Sequence, residues 1–157
     1  MTQPRWLNET EQQAWRALLT LTYRGFPQFD RTLKEHGMLV VHYSVLVALS
    51  EAPGHTLRLS DLADHANVSQ SRLTHRLRTL VERGDISLES SSDDGRGKCA
   101  TLTAAGYKRL QAVAPIHAEE VLRVIFDHLD PDDTEALATS LSKVAAQLCD
   151  HERFQVD

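Results

Sequence analysis

LRLSDLADHANVSQSRLTHRLRTLVERGDISLESSSDDGRGKCATLT, residues 57–103, is the stretch whose pattern decides the fold. It reads as a helix, a tight turn, a second helix and a Gly-tipped hairpin. Ser60 is placed to cap a first helix whose apolar positions Leu62, Ala63 and Ala66 recur at helical spacing, and that run stops at Asn67-Val68-Ser69. A sharp turn between helices needs a backbone position at positive φ, which Gly adopts most easily and Asn next, so Asn67 marks the turn. The second helix starts at Ser69. In it Leu73, Leu77, Leu80 and Val81 repeat at i, i+4, i+7 and i+8, one stripe that must face a core. The other side carries Ser71, Arg72, His75, Arg78 and Thr79, with Gln70, Thr74 and Arg76 on the flanks. Gly84 ends the helix, and Ile86 and Leu88 alternate with Ser87 and Glu89 as in a half-buried strand. A loop tip from Ser91 to Gly97 follows, and Ala100 and Leu102 return as the second strand. The outline is that of a winged helix-turn-helix, and the donors and acceptors of the second helix are those that read base edges in the major groove.

These residues resemble the MarR family of bacterial transcriptional regulators. The matching features are LSDLADHANVSQSRLTHRLRTLVERG, the wing tip DDGRGK with Asp94 and Arg96, and the closing LTAAG from Leu102 to Gly106; the layout matches from about Asn8 to Asp150. The resemblance implies a homodimer in which each winged domain docks one half-site of a pseudo-palindromic operator. It also implies that Asp94 orients the wing while Arg96 enters the minor groove, where a narrow, negatively polarised cleft attracts Arg. The expected DNA-binding set is therefore Ser69, Gln70, Ser71, Arg72, Thr74, His75, Arg76, Arg78, Asp94 and Arg96.

Outward from this core, residues 8 to 35 read as one long helix. Asn8 and Glu11 fit a capping box, Trp15, Leu18, Leu19, Leu21, Thr22 and Phe26 keep an apolar side, Pro27 should kink or interrupt it, and Gly37 stops it. Val40 to Leu49 is apolar nearly all round; a buried strand would also suit such a run, but ten residues favour a buried helix, ended by Pro53-Gly54. Thr103 is placed to cap a helix from Ala104 to Leu129 with a bend near Pro115, and Asp130 to cap a last one whose stripe is Leu137, Leu141, Val144, Ala145 and Leu148. The fold class is mainly α with a small two- to three-stranded β wing. Residues 37–103 form the winged DNA-binding domain, and 1–36 with 104–157 form a helical dimerisation region that a twin must cover.

Composition bounds the rest. A chain of 157 residues, 41% hydrophobic, suffices for one domain with its own core, and no window approaches the ~20 apolar residues of a membrane span. The start lacks the basic-then-apolar pattern of a secretory signal, and Cys99 and Cys149 alone make no disulfide framework, so a reducing cytoplasm is expected. Net charge is −5, yet Arg72, Arg76, Arg78 and Arg83 face only Glu82 between residues 69 and 84, while acids predominate after Glu119. No G-x-x-x-x-G-K-[ST], G-x-S-x-G or H-E-x-x-H occurs, and Asp93-Asp94 sit on a turn without a partner for acid–base work, so no enzyme is expected. His36, His42, His117, Glu120 and His151 are the histidine-rich set to weigh as zinc ligands, but they lack the tight spacing of a metal site, and no metal or cofactor is expected. Cys99 and Cys149 leave a thiol sensor open. The resemblance also implies a small aromatic or carboxylated effector between the dimer region and the winged domain, for which Arg16, Tyr23, His42 and Tyr43 are the candidates, with core or interface roles as the alternative. The negative net charge keeps a second class open: a dimeric small-molecule or metal-sensing module that does not bind DNA.

Overall fold

The computed structural model describes residues 4–65, 70–90 and 97–152, the side chains at 70–72 and 149–152 excepted. The chain divides into two compact units, 1–118 and 119–157. In the first unit α1 spans Glu9–Thr20, α2 Phe26–Glu35, α3 Val40–Glu51, β1 Thr56–Arg58, α4 Leu59–His65, α5 Gln70–Glu82, β2 Ile86–Ser90 and β3 Lys98–Leu102, with α6 (Ala104–Val124) starting there. The second holds the end of α6, a 3-10 turn Phe126–His128 and α7 (Pro131–Glu152).

Asn8 and Glu11 form the capping box: the Glu11 amide donates to the Asn8 side chain and the Asn8 amide to the Glu11 carboxylate, each at 2.9 Å. The long first helix is interrupted, but ahead of Pro27 rather than at it. Leu21–Gly25 forms a π-turn in which the Phe26 amide reaches back to the Leu21 carbonyl. Pro27 falls in the first turn of α2, where its missing N–H is tolerated, and the widened turn carries the chain through without a break. Gly37, at φ +71°, ends α2 with the Met38 amide on the Leu33 carbonyl and its own amide on Lys34.

Helix α3 is the buried helix expected, with His42, Val45, Leu46 and Leu49 inside. Helix α4 begins at Leu59, one residue ahead of the proposed cap: β1 feeds straight into it, Leu59 is buried with Leu62 and Ala63, and the Ser60 hydroxyl bonds the Asp61 carboxylate instead. The turn centred on Asn67 lies outside the described residues. The sheet has three antiparallel strands in the order β1-β3-β2. Register sets Leu57, Ala100 and Leu88 in one row and Ile86 opposite Leu102 in the next, so one face of the sheet closes the core.

Helix α6 runs unbroken through Pro115 and ends at Val124, five residues before the expected Leu129. The chain tightens there into the 3-10 turn and reaches an extended Leu129, from which Asp130 caps α7 by accepting the Asp133 amide at 2.8 Å. In the second unit Leu141, Val144 and Leu148 stay exposed on α7, and in the first unit α1 buries no residue and exposes Trp15 and Leu18.

The LTAAG segment has a packing reason. Thr103 caps α6, accepting the Gly106 amide at 3.1 Å while its hydroxyl donates to the Gly84 carbonyl at 2.6 Å with that of Asp85 at 3.0 Å. A Cβ at position 106 would lie 2.0 Å from the Asp85 carbonyl oxygen. An alanine there would gain about 1 kcal/mol in helix propensity but force two backbones apart, a strain of about 3 kcal/mol. Gly106→Ala is therefore expected to lower unfolding stability by about 2 kcal/mol in urea at fixed protein concentration. Equal or higher stability would refute this close approach.

Candidate nucleic-acid interface

Helix α5 presents two faces. Leu73, Leu77 and Leu80 are at most 1% exposed, while Thr74, His75, Arg76 and Arg78 are exposed and Thr79 is half-buried. Val81, expected in the apolar stripe, is 39% exposed: it lies on the stripe's edge, beyond the reach of the core. Gly84, at φ +72°, ends the helix, with the Asp85 amide on the Leu80 carbonyl at 2.8 Å and its own on Val81 at 2.9 Å. Gln70, Ser71 and Arg72 belong to the first turn of α5; their side chains, like residues Ser69, Asp94 and Arg96, lie outside the described ones. Of the ten expected DNA-binding residues the structure thus brings Thr74, His75, Arg76 and Arg78 together on one solvent-facing surface. A polar, cationic helix face flanked by a β-hairpin suits the major groove of a duplex.

The four effector candidates do not share one site. Arg16 is exposed on α1 and bonds Gln12, and Tyr23 is 73% exposed in the π-turn. His42 and Tyr43 are consecutive on α3 and line different cavities, since neighbours on a helix point about 100° apart. The Tyr43 cavity, about 290 Å³, is shared with Ser44, Glu51, His65 and His117; the Tyr43 and His117 rings meet at a tilt of 59° with centroids 4.5 Å apart. Burial, and secondarily Glu51, push the Tyr43 hydroxyl above its usual range. Among the described residues no three His, Cys, Asp or Glu gather as metal ligands. Cys99 is half-buried on β3, between Arg58 and Glu89 in the sheet register.

His42 is 4% exposed, and neither ring nitrogen makes a well-formed hydrogen bond. Burial first, then the charges of Arg83 and Arg76, hold its pKa below the ordinary imidazole range; the Arg76 main chain and Asp85 oppose this more weakly. Its cavity, about 330 Å³, is lined by Lys34, Gly37, Met38, Leu39, Thr79 and Arg83, and Arg83 donates to the Gly37 carbonyl at 2.7 Å.

Two of the residues that build this region, Asp85 and Arg109, carried no functional signal in the sequence. Asp85 is fully buried and accepts from Arg109 Nε at 2.8 Å, and Arg83 ties the end of α5 to the α2–α3 turn. The visible hint was an acid wedged between the helix-ending Gly84 and the apolar Ile86; its partner, 24 positions on, becomes apparent only when α6 folds back.

Because the folded state favours neutral His42, the group adds stability that is present above the imidazole pKa of the unfolded chain and is lost as pH falls through the folded-state value. Unfolding free energy should hold above about pH 7 and decline toward about pH 5, more steeply in wild type than in His42→Leu. Parallel curves would mean the ring titrates alike in both states.

A family model described as the MarR family matches residues 36–97. AbsC, a MarR family transcriptional regulator from Streptomyces coelicolor, superposes with a TM-score of 0.86 at 36% identity, over 92% of this chain and 98% of AbsC. Sco3205, a MarR family regulator of the same organism solved in complex with DNA, gives a TM-score of 0.87 at 36% identity, over 92% of each chain. The HTH-type transcriptional repressor YetL of Bacillus subtilis is 28% identical over 90 residues, 57% of this chain and 54% of YetL, so the match spans about half of that relative.

Proposed function

This chain belongs to the MarR family of transcriptional regulators, and on that premise we propose that it binds double-stranded DNA as a homodimer, each copy setting α5 into the major groove of one half-site. The carrying observation is the two-faced α5: its leucines are locked in the core while Thr74, His75, Arg76 and Arg78 face solvent. Sco3205 is a DNA-bound relative of the same fold. YetL carries a repressor's name, and repression is the mode of action we assign to this chain as well. The negative net charge of the whole chain does not oppose this, since four arginines and one glutamate lie between residues 69 and 84.

Residues 37–103 are the DNA-binding part in this proposal, and 1–36 with 104–157 serve pairing. Exposed Trp15 and Leu18 on α1, and Leu141, Val144 and Leu148 on α7, are apolar surface that a second copy would cover. Asp94 and Arg96 at the wing tip complete the contact, with Arg96 at the minor groove. A small-molecule effector regulates release, and the two cavities beside α3 are where it would act.

Selecting bound genomic fragments with the purified full chain tests DNA binding and yields the operator. On that operator His75→Ala and Arg78→Ala should each cost about 1–3 kcal/mol of specific binding with the fold intact, because both are exposed opposite the core. Unchanged affinity in both variants would remove α5 as the reading helix. Arg96→Ala should instead weaken specific and random duplex alike and lower the salt slope by about one. Coincident salt curves for that variant and wild type would mean the wing tip never meets DNA.

A further inference from the structure

Among the described residues the buried polar side chains are His42 and Asp85, and both keep atoms without a well-formed hydrogen bond: the two ring nitrogens of His42 and Oδ2 of Asp85. Buried polar groups are nearly always satisfied, so a junction that leaves two of them short calls for a reason beyond packing. The charges around His42 come from α2, from the end of α5 and, through Asp85, from α6. Lys34 of α2 lines its cavity and is paired with Asp30; Arg76 in α5 and Arg83 just after it add positive charge; Asp85 supplies the opposing charge but already holds Arg109. Exposed Arg83 is tied by its 2.7 Å bond to the Gly37 carbonyl, in the turn joining α2 to α3. Neutral His42 thus sits under the bond that fastens the end of α5 to that turn.

We propose that His42 is a proton-operated release for α5: when the ring gains a proton, the buried charge drives Arg83 off the Gly37 carbonyl, the end of α5 comes loose from the α2–α3 turn, and the chain loses its hold on DNA. Like charges in a site shielded from water repel far more strongly than at the surface. Of the neighbours Arg83 leaves most easily, since water can take over both its guanidinium and the exposed Gly37 carbonyl. The protonated ring carries N–H groups at both nitrogens and is drawn toward Asp85, whose Oδ2 lacks a partner, so it also competes with Arg109 for the residue whose amide closes α5. The cavity of about 330 Å³ beside the ring gives water, and with it the proton, a way in. DNA favours the seated α5 and hence the neutral ring, so by linkage acid weakens binding. The opposite sign holds for His75, which is exposed on the reading face and gains positive charge toward phosphate as pH falls. The consequence for DNA rests on the reading of α5 as the DNA-binding helix; the release itself does not.

Signals from the free chain separate the release from its effect on DNA. In the full chain labelled with ¹³C-methyl Met and ¹⁵N, the Met38 methyl in the cavity wall and the Gly84 amide beside Arg83 should shift together as pH falls from about 7 to about 5. That step should be absent in His42→Leu, which keeps exposed His36 at the same turn as an internal reference, and in His42→Gln should the leucine variant fail to fold. Arg83→Gln retains the titrating ring but has no charge to expel, so the Met38 step should remain and the Gly84 step vanish. On the selected operator at fixed salt, wild type should lose about tenfold more affinity than His42→Leu over the same range, with His75 present in both. A Met38 methyl that titrates alike in wild type and His42→Leu, a Gly84 amide that stays fixed while Met38 moves, or parallel affinity curves would each overturn the proposal. Absence of operator binding at every pH would remove the DNA reading, and the two signals of the free chain would still decide the release.

Discussion

Asp85 is the constraint on which the first unit depends. Its amide closes the C-terminus of α5, its carbonyl accepts the Thr103 amide at 3.1 Å and lies where any Cβ at position 106 would sit, and its carboxylate holds Arg109 of α6. One residue thus joins the end of the polar-faced helix, the end of β3 and the start of α6. Burying a carboxylate with one oxygen unpartnered gains little net stability, because desolvation consumes most of what the Arg109 pair returns. Its effect is on geometry: removing one partner alone would strand a buried charge, so alternative seatings of α5 against α6 are disfavoured.

That junction explains why α5 can leave arginines and a histidine to solvent. Leu73, Leu77 and Leu80 are pinned from within by α3, α4 and the sheet, and Gly84 with Asp85 fixes the far end. A helix held this way loses little conformational freedom when it meets a duplex, so its contacts are not offset by ordering. The Arg83 link to Gly37 extends the same logic to the opposite side, where the turn after α2 abuts the cavity beside His42.

Much of this was legible in the sequence, for identifiable reasons. Leucines at helical spacing, a Gly after Arg83, alternation at Ile86 and Leu88, and caps at Asn8, Thr103 and Asp130 are local signals that agree with the fold around them. Thr74, His75, Arg76 and Arg78 were legible as an exposed face because they sit opposite that leucine stripe. What failed to show depended on contacts between distant segments. Strand β1 is three residues long and exists because Leu57 finds Ala100 in β3; Val81 matched the period yet lies beyond the core; the π-turn absorbs Pro27 earlier than a kink rule foresees. Adjacency in the chain suggests one pocket for His42 and Tyr43, whereas helix geometry turns them toward two.

The central claim is that a rigid, solvent-facing helix on a winged scaffold discriminates among DNA sequences. Its most direct measurement is the ratio of affinities of the full chain for its selected operator and for a scrambled duplex of equal length, at one physiological salt concentration. Sequence reading by α5 predicts a ratio of about a thousandfold or more, with protection of two half-sites about 10 base pairs apart. Equal affinity for the two duplexes, or no measurable binding to either, would contradict it.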